Sequence, residues 1–243
     1  SNFLNQLKPL KADVLINCIG LTNVEDCEKN RKKAIQSNVT VAKNISRVCR
    51  KLSIKMVHIS TDHLFEGKKA FKDEKESKTP LNIYGKTKGD GEKFVLQENP
   101  SALIIRTNFY GWGPNYKASF SDKILKSLEN NQPANLFCDV FFTPVSVNIL
   151  RKNIYLLLKK NAKGVFNVCS NERITKYQFG VMLAKEFGYS TKLINPISIN
   201  DIPNLTLRPK DMSLSNHKIC TYLGNSIPSI ENQIQKLKGY KDS

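Results

Sequence analysis

Short, nearly continuous apolar runs alternate along this chain with longer stretches in which apolar residues recur at helical spacing. The runs DVLINC (13–18), IKMVHIS (54–60), ALIIRT (102–107) and VFNVC (165–169) have the length and β-branched content of strands buried on both faces. Between them Val41, Ile45, Val48 and Leu52 form one helical stripe, Phe120, Ile124, Leu125 and Leu128 a second, and Val147, Leu150, Ile154 and Leu158 a third. Thr143 reads as the N-cap of that third helix, with Pro144 at its first position. Thr175 and Gln178 read as a capping box ahead of Phe179, Met182, Leu183 and Phe187, with Gly188 as the stop. The polar segment 66–79 reads as a loop, and Pro80 and Asn82 lead into a helix carrying Tyr84 and Lys88. Residues 189–214 are irregular and proline-marked, as in a lobe that covers a substrate, and Ile230, Ile234 and Leu237 suggest a closing helix. Strands alternating with helices predict an α/β fold with a parallel sheet covered by helices.

Composition narrows the function classes. Hydrophobic residues at 40% and charged residues at 24% are ordinary for a soluble globular chain. No run approaches the ~18 consecutive apolar residues of a membrane span, and the N-terminal segment SNFLNQLKPLKADVL lacks the apolar core of a secretory signal. A cytoplasmic location is the expectation. The formal charge of +17 raises nucleic-acid binding, but the cations are mostly lysine and scattered over many elements, without interleaved aromatics. They read as a solvated surface that would attract an anionic substrate, with neither nucleic acid nor membrane as partner. The six cysteines are dispersed without a C-x-x-C pair and read as buried free thiols; Cys18 and Cys169 lie in apolar runs. The three histidines lack ligand spacing, so no metal site is expected.

The chemistry concentrates at Tyr84 and Lys88, with Ser60-Thr61-Asp62 upstream. Positions i and i+4 share a helix face, so phenol and ammonium can work on one substrate. A phenol with a pKa of about 10 donates poorly to a ketone at neutral pH. A cation within about 4–6 Å stabilises the phenolate and makes the donor stronger. Ser60-Thr61-Asp62 follows a predicted strand, at the sheet edge where ligands bind in open α/β folds. Taken singly, Tyr84 also reads as an amphipathic core residue, Lys88 as a solvated lysine, Thr61 as a turn cap and Arg208 as a surface arginine.

The segments NCIG (17–20), HISTDHLFEG (58–67), TPLNIYGKTKGDGEKFV (79–95), LIIRTNFYGWG (103–113) and RPKDMSLSNHKI (208–219) carry a resemblance over nearly the whole chain. Together, in this order, they resemble the extended short-chain dehydrogenase/reductase superfamily, and most closely the dTDP-4-dehydrorhamnose reductase family. The resemblance implies a Rossmann-like sheet with helices on both faces. Residues 1–165 would form the nucleotide-binding domain and 166–243 most of a small substrate lobe, with the two interleaved. It implies NADPH- or NADH-dependent reduction of a 4-keto sugar on a nucleoside diphosphate. By the same resemblance, Thr61 binds the substrate carbonyl, Tyr84 is the general acid, and Lys88 tunes it while holding cofactor ribose. Ser60 is the fallback hydroxyl and a cofactor contact. Cys18, Ile19 and Gly20 lie along the cofactor, and Thr107, Asn108 and Phe109 lie near nicotinamide and sugar. Asp62 contacts the sugar and Arg208 the substrate phosphate.

The family pattern opens with a strand and a Gly-rich turn that receives the dinucleotide pyrophosphate. No such element precedes residue 13 here, so the chain is expected to begin just before the family's fourth strand. Gly85, Gly89 and Gly91 reproduce one spacing of that turn but follow a polar loop, so the match is read as accidental. His63 replaces the tyrosine usual after Ser-Thr-Asp, and the 111–114 loop differs from the best-known rhamnose reductases, which leaves the sugar open. Two other readings stand beside the reductase: a non-catalytic dinucleotide-binding regulatory subunit, and a sugar-nucleotide epimerase or dehydratase. A homodimer is open.

Overall fold

Leu103, Ile104 and Ile105 are at most 1% exposed, which makes their strand the buried centre of the sheet. In the computed structural model, which describes residues 2–114 and 118–239, the four apolar runs become one parallel sheet. Its strands are β1 (Val14–Asn17), β2 (Lys55–Ile59), β3 (Leu103–Arg106) and β4 (Gly164–Asn167), adjacent in that order. Register is set by pairs such as Ile16 with Val57, His58 with Ile104, and Ile105 with Phe166. The helical stripes become α1 (Val41–Lys51), α2 (Ile83–Glu98), α3 (Phe120–Glu129), α4 (Val147–Lys159), α5 (Lys176–Glu186) and α6 (Ile230–Gly239).

Strand residues alternate between faces, and the sheet's two sides bury different helices. Met56 and Ile104 pack with Ala42, Ile45 and Cys49 of α1 and Val95 of α2. Val57, Leu103 and Ile105 pack with Leu150, Ile154 and Leu157 of α4 and with Ile219 from helix His217–Leu223. A separate core joins Leu125 and Leu128 of α3, Phe179 and Leu183 of α5, and Ile230 and Ile234 of α6. Phe179 lies between Tyr110 at 4.8 Å and Phe142 at 5.7 Å, both edge-on. This second core draws on residues before β4 as well as after it.

Several local expectations hold. Thr175 and Gln178 form the reciprocal capping box of α5, and Gly188 follows its C-cap with φ +76°. The third helix starts later than its sequence suggests. Its N-cap is Ser146, whose hydroxyl accepts from Ile149 N at 3.4 Å. Val145–Ser146 instead pairs as a short parallel ladder with Phe109–Tyr110, and Thr143 Oγ1 accepts from Leu214 N at 3.1 Å. A tertiary ladder overrides the local Thr-Pro signal. The irregular segment also contains a strand, Ile194–Ile197, parallel to Ala134–Phe137, which Pro196 disguised. Cys18 and Cys138 are exposed, against the buried-thiol reading, because Cys18 lies just beyond the end of β1.

Two features fix α2 against the sheet. A Cβ on Gly85 would lie 2.2 Å from the His63 carbonyl oxygen, and one on Gly91 2.4 Å from that of Asn38. Their spacing is therefore a packing requirement that lets the helix press onto neighbouring backbone. The second feature is a buried charge network. Glu92 of α2 accepts from Arg106 Nε at 3.0 Å and Nη2 at 2.9 Å, from Ser60 Oγ at 2.5 Å and from Lys78 Nζ at 3.2 Å. It ties the helix to the C-terminal ends of β2 and β3. Burial alone would raise the Glu92 carboxyl; Arg106, Lys78 and Ser60 outweigh it and hold the group below the ordinary carboxylate range.

Urea unfolding of glycine variants separates contact from propensity. Gly91→Ala is expected to lose ~1–3 kcal/mol by overpacking. Gly89→Ala, whose Cβ would find only ordinary contacts from 3.4 Å, is expected to gain about 0.5–1 kcal/mol from helix propensity. Glu92→Gln leaves the Arg106 charge buried without a counter-ion and is expected to lose about 3–5 kcal/mol at neutral pH. The wild-type network is fully stabilising above the unfolded carboxylate pKa of about 4.3 and fades as pH falls through the lower folded value. Acid titration of stability should therefore be shallower in Glu92→Gln.

Candidate active site

Because β1, β2 and β3 run parallel, the residues leaving each strand emerge along one edge of the sheet. Those residues are Cys18-Ile19-Gly20, Ser60-Thr61-Asp62 and Thr107-Asn108-Phe109. Helix α2 crosses this edge, its N-terminus capped by Asn82, whose Oδ1 accepts from Gly85 N at 2.8 Å. The Asn82 amide nitrogen donates in turn to Leu207 O at 2.9 Å, linking the helix start to the second lobe.

On the first turns of α2 the Tyr84 phenol meets the Thr61 hydroxyl. Burial raises the phenol's pKa, Thr61 draws it back, and the nearby Asp62 and Cys27 raise it further. The phenol is thus firmly protonated at neutral pH. His63 lies edge-on to its ring at 5.3 Å. Asp62 accepts from Asn108 Nδ2 at 2.7 Å and from Thr61 Oγ1 at 3.3 Å, which joins the ends of β2 and β3.

Lys88 stands one helical turn on. Its ammonium donates to Ile59 O at 2.6 Å. Burial lowers its pKa to about 8, while Glu92 and Cys18 act in the opposite sense. The sequence reading set Lys88 to tune Tyr84 directly, whereas the groups that act on the phenol here are Thr61, Asp62 and Cys27. Lys88 lies instead against the Cys18–Gly20 turn: a Cβ on Gly20 would be 4.0 Å from Lys88 Nζ and 2.9 Å from Asn38 Oδ1. Gly20 is needed for that close approach.

The other candidates divide. Cys18 is exposed and Ile19 is 51% exposed, so the turn after β1 is open to a ligand. Thr107 Oγ1 is buried with no partner among the described residues, and Phe109 is 49% exposed. Ser60 is committed to Glu92. Arg208 pairs with Glu25 and donates to Thr206 O, so a phosphate would have to displace a carboxylate from it.

Sequence reasoning missed three residues. Asn38 lies in a π-helical turn, Gln36–Thr40, a distortion common at functional sites. Its Oδ1 accepts from Leu21 N at 2.8 Å and its Nδ2 donates to Thr87 Oγ1 at 3.0 Å, joining the cofactor-side turn to α2. No one-dimensional signal marks it. Glu92 was findable, because Tyr84, Lys88 and Glu92 continue a single i, i+4, i+8 row. His58 lies behind the turn, bonded to Asn17 at 3.0 Å; burial, then Lys88, push its pKa down to about 3, so it is neutral.

Comparison with known proteins agrees with this architecture. A model of the RmlD substrate binding domain family matches residues 2–239. The probable low-salt glycan biosynthesis reductase Agl14 of Haloferax volcanii is 30% identical over 230 residues, which cover 93% of this chain and 77% of that protein. Methionine adenosyltransferase 2 subunit beta of Xenopus laevis is 27% identical, with 88% of this chain and 66% of that protein covered. A solved dTDP-4-dehydrorhamnose reductase of Clostridium acetobutylicum superposes with TM-score 0.89 at 26% identity, covering 100% of this chain and 84% of that one. Neighbours of the same fold have been solved with NADP or NAD bound. Among the described residues no helix is long and apolar enough to cross a membrane. With almost its whole length matched by the family model, this chain belongs to the RmlD substrate binding domain family.

Proposed function

We propose that this chain carries the catalytic site of an NAD(P)H-dependent reductase acting on a nucleotide-linked 4-keto sugar, of the dTDP-4-dehydrorhamnose reductase type. The observation that carries the reading is the meeting of the Tyr84 phenol and the Thr61 hydroxyl at the C-terminal sheet edge, with Lys88 one turn away. The relatives named as reductases support the same reaction class.

The nicotinamide, when bound, supplies the hydride. The open Cys18-Ile19-Gly20 turn, the Lys88 ammonium and the unpartnered Thr107 hydroxyl fit its ribose half. Thr61 orients the sugar's keto oxygen and polarises it by hydrogen bonding. Tyr84, protonated at neutral pH, delivers its proton to that oxygen as negative charge develops there. The phenolate left behind is unfavourable in so buried a place, and the Lys88 ammonium, one helical turn on, would be the cation that counters it. Asp62 and Asn108, bonded to each other, offer acceptor and carbonyl groups to the sugar hydroxyls. A cytoplasmic location and a homodimeric assembly are the remaining expectations of this reading.

A second reading has one observation in its favour, the similarity to methionine adenosyltransferase 2 subunit beta. On it the same cleft would bind a dinucleotide without turning over a sugar. NADPH binding without oxidation by any nucleotide-linked keto sugar, together with co-purification of a partner enzyme, would favour that alternative.

Steady-state assays of NADPH oxidation test the reductase. Tyr84→Phe should lower kcat by about 10²–10⁴-fold, the range of general acid catalysis, with cofactor affinity retained; unchanged turnover would exclude the role. Lys88 works as an ammonium whose pKa is about 8. It therefore loses its proton as pH rises through that value, and kcat/KM should fall on the alkaline side, with Lys88→Arg removing the decline.

A further inference from the structure

The end of the sheet opposite the catalytic edge carries a second concave surface. A cavity of about 290 Å³ opens where β2 and β3 begin, between the C-terminal end of α1, the last turn of α4 and the loop leading into β4. Its floor is apolar. Cys49, Ile54 and Met56 come from the core on one face of the sheet, Leu103 and Ala162 from the core on the other, and all five are buried.

Three cations line this cavity, Arg50, Lys55 and Lys163, and no carboxylate among the described residues lines it. No described carboxylate lies within 4.0 Å of any of the three. Arg50 reaches only the backbone O of Glu98, at 3.2 Å, because the Glu98 carboxylate is already held by Arg47 at 2.7 and 3.0 Å. Lys55 Nζ donates to the neutral Asn161 Oδ1 at 2.7 Å. An adjoining hollow shares Ser53, Ile54 and Lys55 and adds Lys8 and Lys11 against one carboxylate, Asp13, so the positive field extends around the mouth. Asn99 adds a buried donor. It is 5% exposed, caps the C-terminus of α2 and accepts from Ser101 N through Oδ1 at 3.1 Å. Its Nδ2 donates to no described group, whereas buried donors normally find an acceptor.

We propose that this cavity binds a phosphate monoester with a small apolar body, at a place separate from the catalytic cleft. Such a group carries about −1.5 to −2 charge at neutral pH and three acceptor oxygens. It thus suits three uncompensated cations and the Asn99 amide better than a carboxylate does. Inorganic phosphate would leave the Met56 and Leu103 floor in water, and an ester with an apolar body would cover it. At ~3.3 Å per residue, β2 puts Lys55 about 20 Å from Thr61, too far for one small ligand to touch both. The proposal does not rest on the reductase reading.

Titration calorimetry with phenyl phosphate, inorganic phosphate and benzoate, with and without saturating NADPH, tests the cavity without turnover. Phenyl phosphate should bind about tenfold more tightly than either of the others, and NADPH should leave its affinity unchanged. Asn99→Asp keeps the acceptor for Ser101 N but sets a carboxylate where the amide donates. It should weaken phenyl phosphate by about tenfold or more. Arg50→Gln combined with Lys163→Gln changes two exposed side chains and should weaken it by about five- to twentyfold at unchanged melting temperature. This second comparison stands even if Asn99→Asp folds poorly. Wild-type affinity in the double variant would overturn the proposal. So would inorganic phosphate binding as well as its phenyl ester, no binding of the ester at millimolar concentration, or its displacement by NADPH, which would assign it to the catalytic cleft.

Discussion

The buried Glu92 carboxylate is the constraint on which the site's geometry depends. Arg106 from β3, Ser60 from the end of β2 and Lys78 from the preceding loop all converge on it. A charge with 1% exposure is tolerable only when its neighbours satisfy it. Helix α2 is therefore fixed in rotation and height relative to two strand ends. Tyr84 and Lys88 lie on the same row of that helix and inherit its position. Gly85 and Gly91 serve the same end from the steric side, by allowing α2 to approach the His63 and Asn38 backbones more closely than any side chain would permit.

The cleft is electrostatically divided. Tyr84, beside Thr61 and Asp62, is held in its protonated form. Lys88 and Lys176 are both drawn down toward neutrality by burial, to about 8 and about 7. The surface lysines behind the net charge of +17 are of a different kind, solvated and paired loosely if at all.

Much of the fold was legible because its strands are buried on both faces and its helices carry clear stripes. The DVLINC, IKMVHIS, ALIIRT and VFNVC runs became the sheet, and the Thr175–Gln178 box became the start of α5. Thr143-Pro144 misled, since a strand pairing of Val145 and Ser146 outranks a local cap signal. Residues 24–40 carry no legible pattern, because two short helices and a π turn lack a single period. In the site, the Tyr84/Thr61 meeting could be inferred from motif order. The detour of Lys88 to Ile59 O and the Glu25 partner of Arg208 could not, because both depend on contacts between elements distant in sequence.

Asn82 bonds with one end of its amide to Gly85 N and with the other to Leu207 O. The strap beside Arg208 is thereby moored to the very turn that begins the tyrosine-bearing helix. If that strap lifts to admit a bulky sugar nucleotide, it must let go of the amide or drag it along, loosening the helix start by the same motion. On the proposed reading, ligand capture and the rigidity of the Tyr84 helix would then be coupled through the Asn82 side chain.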